Sequence, residues 1–394
     1  TAYYAASEGR RLFGLNAPSE LPNKMNLSFR VPIGVGGFIC PWNFPMAIPT
    51  WKLFPALVCG NTAVFKPAEL TPKTAHTLVE IIDAAMREVL GKDYIPGVIN
   101  LVHGKGSVVG EAITNHEDID LISFTGSTDV GKRINAVAGA SLKRVSLELG
   151  GKNAQIVMDD ANQDLALEAV LWGAFGTTGQ RCTATSRLIL HEKIYDEFIK
   201  KLVAKAGKLR LGYGNDKGVD VGPCVSESQR NSVNEYVQIG KNEDKAKLVL
   251  GGEFANDGTL AKGWFYKPTI FVDVTPEMRI AKEEIFGPVL SVIKTTGLED
   301  AINILNNTKY GLSSSIFTNN VNDAFTAVRD IKAGITYVNG ATIGAEAHMP
   351  FGGVKQTGNG HREGGWTVYD FYTEWKAVYI DYSGKLQRAQ IDNY

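Results

Sequence analysis

A chain of 394 residues, 44% hydrophobic and 21% charged, has the balance of a soluble globular protein with room for two domains. Its 41 Lys and Arg residues nearly cancel 42 Asp and Glu, leaving a net charge of -1 with no run of one sign. Neither nucleic acid nor an anionic membrane is therefore an expected partner, and small-molecule chemistry is.

Short apolar runs alternate with helix-like segments from Val31 to Glu148. In chain order, Leu27 to Val31, Ile33 to Ile39 and Ala63 to Phe65 read as strands, and Thr74 to Leu90 reads as an amphipathic helix after Pro72. Val98 to Val102 and Leu121 to Phe124 then read as buried strands, which is the rhythm of a parallel sheet covered by helices. A second α/β segment begins near residue 150, with helices at about Leu165 to Ala174 and Ile194 to Lys208 and strands at Ser186 to His191 and Val289 to Ile293. The tail from Phe371 to Tyr382 alternates apolar and polar residues and reads as a strand able to share a sheet with Leu27 to Val31.

No apolar run reaches membrane-spanning length, and Thr1-Ala2-Tyr3-Tyr4 carries no signal-peptide pattern. Cys40, Cys59, Cys182 and Cys224 lack both zinc-ligand spacing and the density of a disulfide framework, so a reducing, cytoplasmic setting is expected.

Two stretches carry the chemistry. Gly179-Gln180-Arg181-Cys182-Thr183 offers a thiol, a better nucleophile toward carbonyl carbon than a hydroxyl, and Leu147-Glu148-Leu149-Gly150-Gly151-Lys152 offers a carboxylate among glycines. Each alone is weak, because a buried cysteine is more often inert packing. Three further motifs surround them. Phe124-Thr125-Gly126-Ser127-Thr128-Asp129-Val130-Gly131 links a strand to a helix, where backbone amides can face a phosphate. Lys66-Pro67-Ala68-Glu69 adds a cation and a carboxylate able to hold sugar hydroxyls, and Pro41-Trp42-Asn43-Phe44-Pro45 fixes an amide donor between prolines and aromatics. Lys282-Glu283-Glu284-Ile285-Phe286-Gly287-Pro288, taken alone, reads as a solvated helix end before a turn.

In this order the motifs resemble the aldehyde dehydrogenase superfamily, from about residue 3 to the tail. The resemblance implies an α/β fold with a Rossmann-type parallel-sheet cofactor domain, an α/β catalytic domain and a small β oligomerisation element. It implies an NAD-binding domain over 1–150, with 20–33 contributing oligomerisation strands, a catalytic domain over 151–362, and an oligomerisation strand and tail over 363–394. Carried over by position, it makes Cys182 the nucleophile, Glu148 the general base and Asn43 an oxyanion donor beside the Cys182 backbone N–H. Lys52 and Glu363 match residues that pass protons to and from the base. Lys66 and Glu69 would hold the adenosine ribose, Gly126 and Ser127 would lie by the pyrophosphate, and Trp42 would border the cofactor. Glu284 and Phe286 would position the nicotinamide ribose and ring, and Phe44 and Phe351 would meet the substrate. His361 reads as a one-residue insertion before Arg362-Glu363.

The implied reaction is oxidation of an aldehyde to a carboxylic acid through a Cys182 thioester, with NAD or NADP as cofactor and no metal. Thr342 to Phe351 occupies the family's substrate-mouth loop; its Gly-Ala-Glu, and the tail at Tyr382 to Leu386 and Ala389-Gln390, resemble antiquitin-like semialdehyde dehydrogenases. A homodimer or homotetramer is implied. Family members begin upstream of the point matched by Thr1, which keeps open a catalytically silent oligomerising fragment. A CoA-acylating dehydrogenase is the other alternative, and Glu148 argues against it.

Overall fold

The computed structural model describes residues 1–388; Ala389 and Gln390 lie outside the described residues. Three sheets organise the α/β chain. The first has five strands, all parallel, in the order Ile99–Leu101, Thr62–Lys66, Val35–Ile39, Leu121–Thr125, Arg144–Glu148. The chain starts at the central strand, moves to one side, then returns to the other. That reversal opens a crevice beyond the carboxyl ends of Val35–Ile39 and Leu121–Thr125, the place where such sheets bind ligands.

The second sheet has seven strands, in the order Lys247–Leu250, Thr269–Val272, Val289–Thr295, Arg187–His191, Ala154–Val157, Ser313–Phe317, Ile335–Val338. Only its Lys247–Leu250 edge runs antiparallel. Its central strands are covered on both faces: Ile156 and Ile189 face one buried cluster, and Val157, Leu188 and Leu190 face another. The third sheet joins Leu15–Pro18, Lys24–Pro32 and Thr373–Asp381, the last two in an unbroken antiparallel register from Lys24–Asp381 to Pro32–Thr373.

Most expected elements sit within two residues of their observed bounds, the strand expected from Leu27 starting three earlier at Lys24, and two of the smaller displacements have local causes. The tail strand begins at Thr373 rather than Phe371, because Val368–Tyr372 closes a helical turn in which Thr373 Oγ1 donates to Tyr369 O. That turn buries Phe371 and Tyr372 in one cluster with Phe38 and Phe65 of the first sheet and Leu53 of the helix Ala47–Val58. The strand expected from Ile33 starts at Val35, since the amides of Ile33 and Gly34 are held by Asn61 Oδ1 at 2.9 Å each. The helix Ala47–Val58 had no readable signal, because Pro49 and Pro55 interrupt its pattern. Among the described residues no helix is long and apolar enough to cross a membrane.

Arg187 ties the second sheet to its covering helix. Fully buried, it donates to the carbonyls of Lys152, Ile304 and Leu305, the latter two at the carboxyl end of the helix Leu298–Asn306. A cation there meets the negative end of the helix dipole and satisfies orphan carbonyls. Arg187→Met should leave those carbonyls unpaired and cost about 3 kcal/mol or more. Urea unfolding followed by circular dichroism would read this as a lower midpoint, and an unchanged midpoint would refute it.

Candidate active site

The carboxyl ends of the first sheet meet the amino ends of the second. Asn43 follows Val35–Ile39, and Lys66 and Glu148 end their own strands. From the other side, Asn153 precedes Ala154–Val157, Cys182 precedes Arg187–His191, and Glu284 and Phe286 precede Val289–Thr295. Gly151 lets the two halves close. A Cβ on it would lie 2.6 Å from the Cys182 carbonyl oxygen. Its amide donates to Glu284 Oε1 at 2.8 Å, so the acidic stretch expected to be a solvated helix end turns inward after the helix Arg279–Lys282.

Glu148 is buried, and neither carboxylate oxygen has a hydrogen-bond partner. Gly352, at a positive φ of 148°, leaves room for Oε1 where any Cβ would collide. Burial, reinforced by the neighbouring Glu363, raises the Glu148 pKa well above the ordinary carboxylate value. Behind it lies a buried ion pair. Lys52 Nζ donates to Glu363 Oε1 at 2.6 Å and to Ser123 Oγ at 2.7 Å, and Ser123 Oγ donates to the same Glu363 oxygen at 3.1 Å. Glu363 Oε2 is left without a partner. His361, the apparent insertion, packs its ring 4.8 Å from that of Phe371.

Cys182 is partly exposed, whereas Cys40, Cys59 and Cys224 are buried. It lines a cavity of about 280 Å³ with Glu148, Glu363, Phe44, Trp51, Phe351 and Arg181. Trp51 and Phe351 meet edge to face at 4.9 Å, and Ala345 of the expected mouth loop also reaches the cavity. Thr178, in a left-handed conformation rare for a β-branched residue, turns the nucleophile loop and is pinned by its hydroxyl to Gly222 O at 3.0 Å. Asn43 Nδ2 donates to Gln180 O at 3.2 Å, leaving its second amide hydrogen for a ligand. Sequence reasoning missed Asn153, whose Nδ2 holds the carbonyls of Cys182 at 2.7 Å and Ala184 at 2.9 Å. It also missed Ser123 and gave Arg181 no role; only position beside the flagged motifs pointed to Asn153 and Arg181.

The crevice on the other side of Cys182 fits a dinucleotide. The helix Thr128–Ala140 starts there with its N-cap Ser127 side chain unused, so its first-turn amides have no intrahelical partner. Gly126 itself is occupied, donating to Glu148 O at 3.0 Å. Lys66 is buried with Nζ on Pro67 O at 2.8 Å, and Glu69 is exposed, accepting from the Gly106 amide at 3.1 Å. Trp42 and Phe286 pack edge to face at 5.5 Å, with Phe286 held at φ 55°. Burial raises the Glu284 pKa to about 7.

Over residues 1–378 the chain matches the model of the aldehyde dehydrogenase family. The chain belongs to that family. This aldehyde dehydrogenase is 44% identical over 377 residues to the alpha-ketoglutaric semialdehyde dehydrogenase of Bacillus subtilis, a match spanning 96% of this chain and 76% of that relative. It is also 44% identical over 383 residues to cytosolic aldehyde dehydrogenase 1 of Mus musculus, spanning 97% of this chain and 74% of the relative. Among solved structures, betaine aldehyde dehydrogenase from Staphylococcus aureus in complex with NAD+ matches at a TM-score of 0.92 and 34% identity, covering 97% of this chain and 74% of that one.

In the aldehyde dehydrogenase as described, burial, Glu148 and Glu284 push the Cys182 thiol up to about 12. Since the thiolate is the reactive form, raising the pH increases reactivity until that value is passed. Iodoacetamide labelling of Cys182 in the protein alone should climb about tenfold per unit between about pH 7 and about pH 10. A plateau below about pH 9, read by mass spectrometry, would show that burial does not hold the thiol neutral.

Proposed function

We propose that the chain oxidises an aldehyde to the corresponding carboxylic acid, with NAD as the hydride acceptor. The observation that carries this reading is one cavity wall holding Cys182 and an unpartnered Glu148 carboxylate, next to a crevice fit for a dinucleotide. The name of the Staphylococcus aureus neighbour supports NAD, and that of the Bacillus subtilis relative supports a semialdehyde.

The Cys182 thiol gives up its proton to solvent water and the sulfur bonds to the aldehyde carbon, whose C=O π pair moves onto oxygen, while the free Asn43 amide hydrogen and the Cys182 N–H donate to that oxygen. Lys66, Glu69, Trp42, Glu284 and Phe286 would hold NAD, with Gly126 and Ser127 beside its pyrophosphate, and the cofactor would supply the hydride acceptor needed for that carbon to become a thioester. Glu148 then takes a proton from water, whose oxygen bonds to the carbon as the C–S bond breaks. Lys52 and Glu363 pass the proton onward. Phe44 and Phe351 line the apolar approach for the substrate.

The first sheet through residue 150 is the cofactor domain in this reading, 151–362 the catalytic domain, and 363–394 with 20–33 the assembly element. A homodimer or homotetramer is supported by exposed Met25, Phe29, Trp375 and Tyr379 on the third sheet, and by the Thr373–Asp381 strand at its edge. The free state of all four cysteines supports a cytoplasmic setting.

Glu69 should make the enzyme prefer NAD to NADP, because a carboxylate accepts from a ribose 2′-hydroxyl and repels a 2′-phosphate. Equal kcat/KM for the two cofactors would contradict this, and Glu69→Gln should narrow the gap.

The two half-reactions separate Glu148 from Cys182. Glu148→Gln should slow steady-state turnover by about 10² to 10⁴ while still forming the acyl-enzyme. Cys182→Ala should abolish both steps. Rapid mixing with aldehyde and NAD should therefore give a stoichiometric NADH burst in the Glu148 variant and none without Cys182. Full turnover in Glu148→Gln, or a burst in Cys182→Ala, overturns these roles.

A further inference from the structure

The cavity beside Cys182 contains one feature that simple aldehyde oxidation does not use. Among the described residues lining it, Arg181 is the one cation, set against Phe44, Ile48, Trp51 and Phe351. Its guanidinium carbon lies 5.4 Å from the Phe44 ring and 5.4 Å from the Trp172 ring, contacts that hold the head group without neutralising it. Only Nε is engaged, donating to Thr177 Oγ1 at 2.7 Å. Among the described residues no carboxylate pairs with it, and its two terminal nitrogens make no hydrogen bond to the protein. A half-buried guanidinium without a counterion is poised for an anion, and its planar fork matches a carboxylate in two parallel bonds.

The other charges in the cavity do not oppose such an anion. Glu363 is tied to Lys52, and burial holds Glu148 toward its neutral form. We propose that Arg181 anchors a carboxylate on the substrate, so that the preferred substrates are short aldehydes bearing a terminal carboxylate. This inference rests on the aldehyde-oxidising reading above. Arg181 and Cys182 line the same cavity, so a short molecule bonded to the sulfur at one end can meet the guanidinium at the other. The cavity of about 280 Å³ suits that length.

The test compares 5-oxopentanoate with pentanal, which differ in one terminal group, through the ratio of their kcat/KM values with NAD. The wild type should favour 5-oxopentanoate by at least about tenfold, and glutarate should inhibit pentanal oxidation competitively. Arg181→Met should lower the ratio about 10- to 100-fold, mainly through KM for 5-oxopentanoate, and Arg181→Lys should fall between the two. Should the Met variant fail to fold, the Lys variant and glutarate inhibition of the wild type decide the matter. A wild-type ratio near one, absent glutarate inhibition, or a ratio unmoved by either substitution overturns the anchor while leaving pentanal oxidation intact. Turnover of neither aldehyde by the wild type overturns the aldehyde-oxidising reading, and this inference with it.

Discussion

A buried carboxylate with no partner is the constraint around which this molecule is arranged. Glu148 sits at the end of a strand, its two oxygens unbonded, where an isolated ionised group costs several kcal/mol. It therefore favours its neutral form, and a charge on it raises the cost of a Cys182 thiolate. One cavity cannot comfortably hold both anions. In the proposed reaction the sulfur carries no charge once it is committed to a carbon bond, so an ionised Glu148 meets no sulfur anion while water attacks.

The backbone around this pair is built for close approach. Gly151 admits the Cys182 carbonyl, Gly352 admits a Glu148 oxygen, and Asn153 clamps the nucleophile loop from beneath. The Lys52–Glu363 pair, with Ser123 bridging, keeps a fixed charge arrangement behind the base. Such a pair adds little net stability, because desolvation offsets much of the attraction. Its geometry rather than its energy is what the site uses.

Much of this was legible in the sequence. The strand-to-helix glycines and the rhythm of the first sheet rest on local spacing, whereas the roles expected of Cys182, Glu148, Lys52, Glu363, Phe44 and Phe351 came from the family resemblance, and the structure brings these six to one cavity region. What was illegible depends on partners far away in the chain. Ser123 is an ordinary strand residue until Glu363, 240 positions later, arrives beside it. Glu284 looked solvated because its partner is a backbone amide on Gly151. Phe371 and Tyr372 continue an alternating pattern, yet packing against Phe38 pulls them into a helical turn. Arg181 was quoted within a motif, but nothing in spacing tells whether a guanidinium meets a carboxylate or an aromatic pair.

The partner of Lys52 lies 311 positions downstream, and that separation has a consequence for how the protein is made. At about 5 to 20 residues per second, the ribosome delivers Glu363 roughly 15 to 60 s after Lys52. Throughout that interval a lysine destined for full burial has no counterion. The helix carrying it cannot settle in its final place against the first sheet without leaving an uncompensated charge in a dry interior. The same late segment brings Gly352 against Glu148 and completes the sheet begun by Leu15–Pro18 and Lys24–Pro32. The strands of the first sheet are synthesised early, but the surroundings of its most costly residue are finished only when nearly the whole chain has emerged.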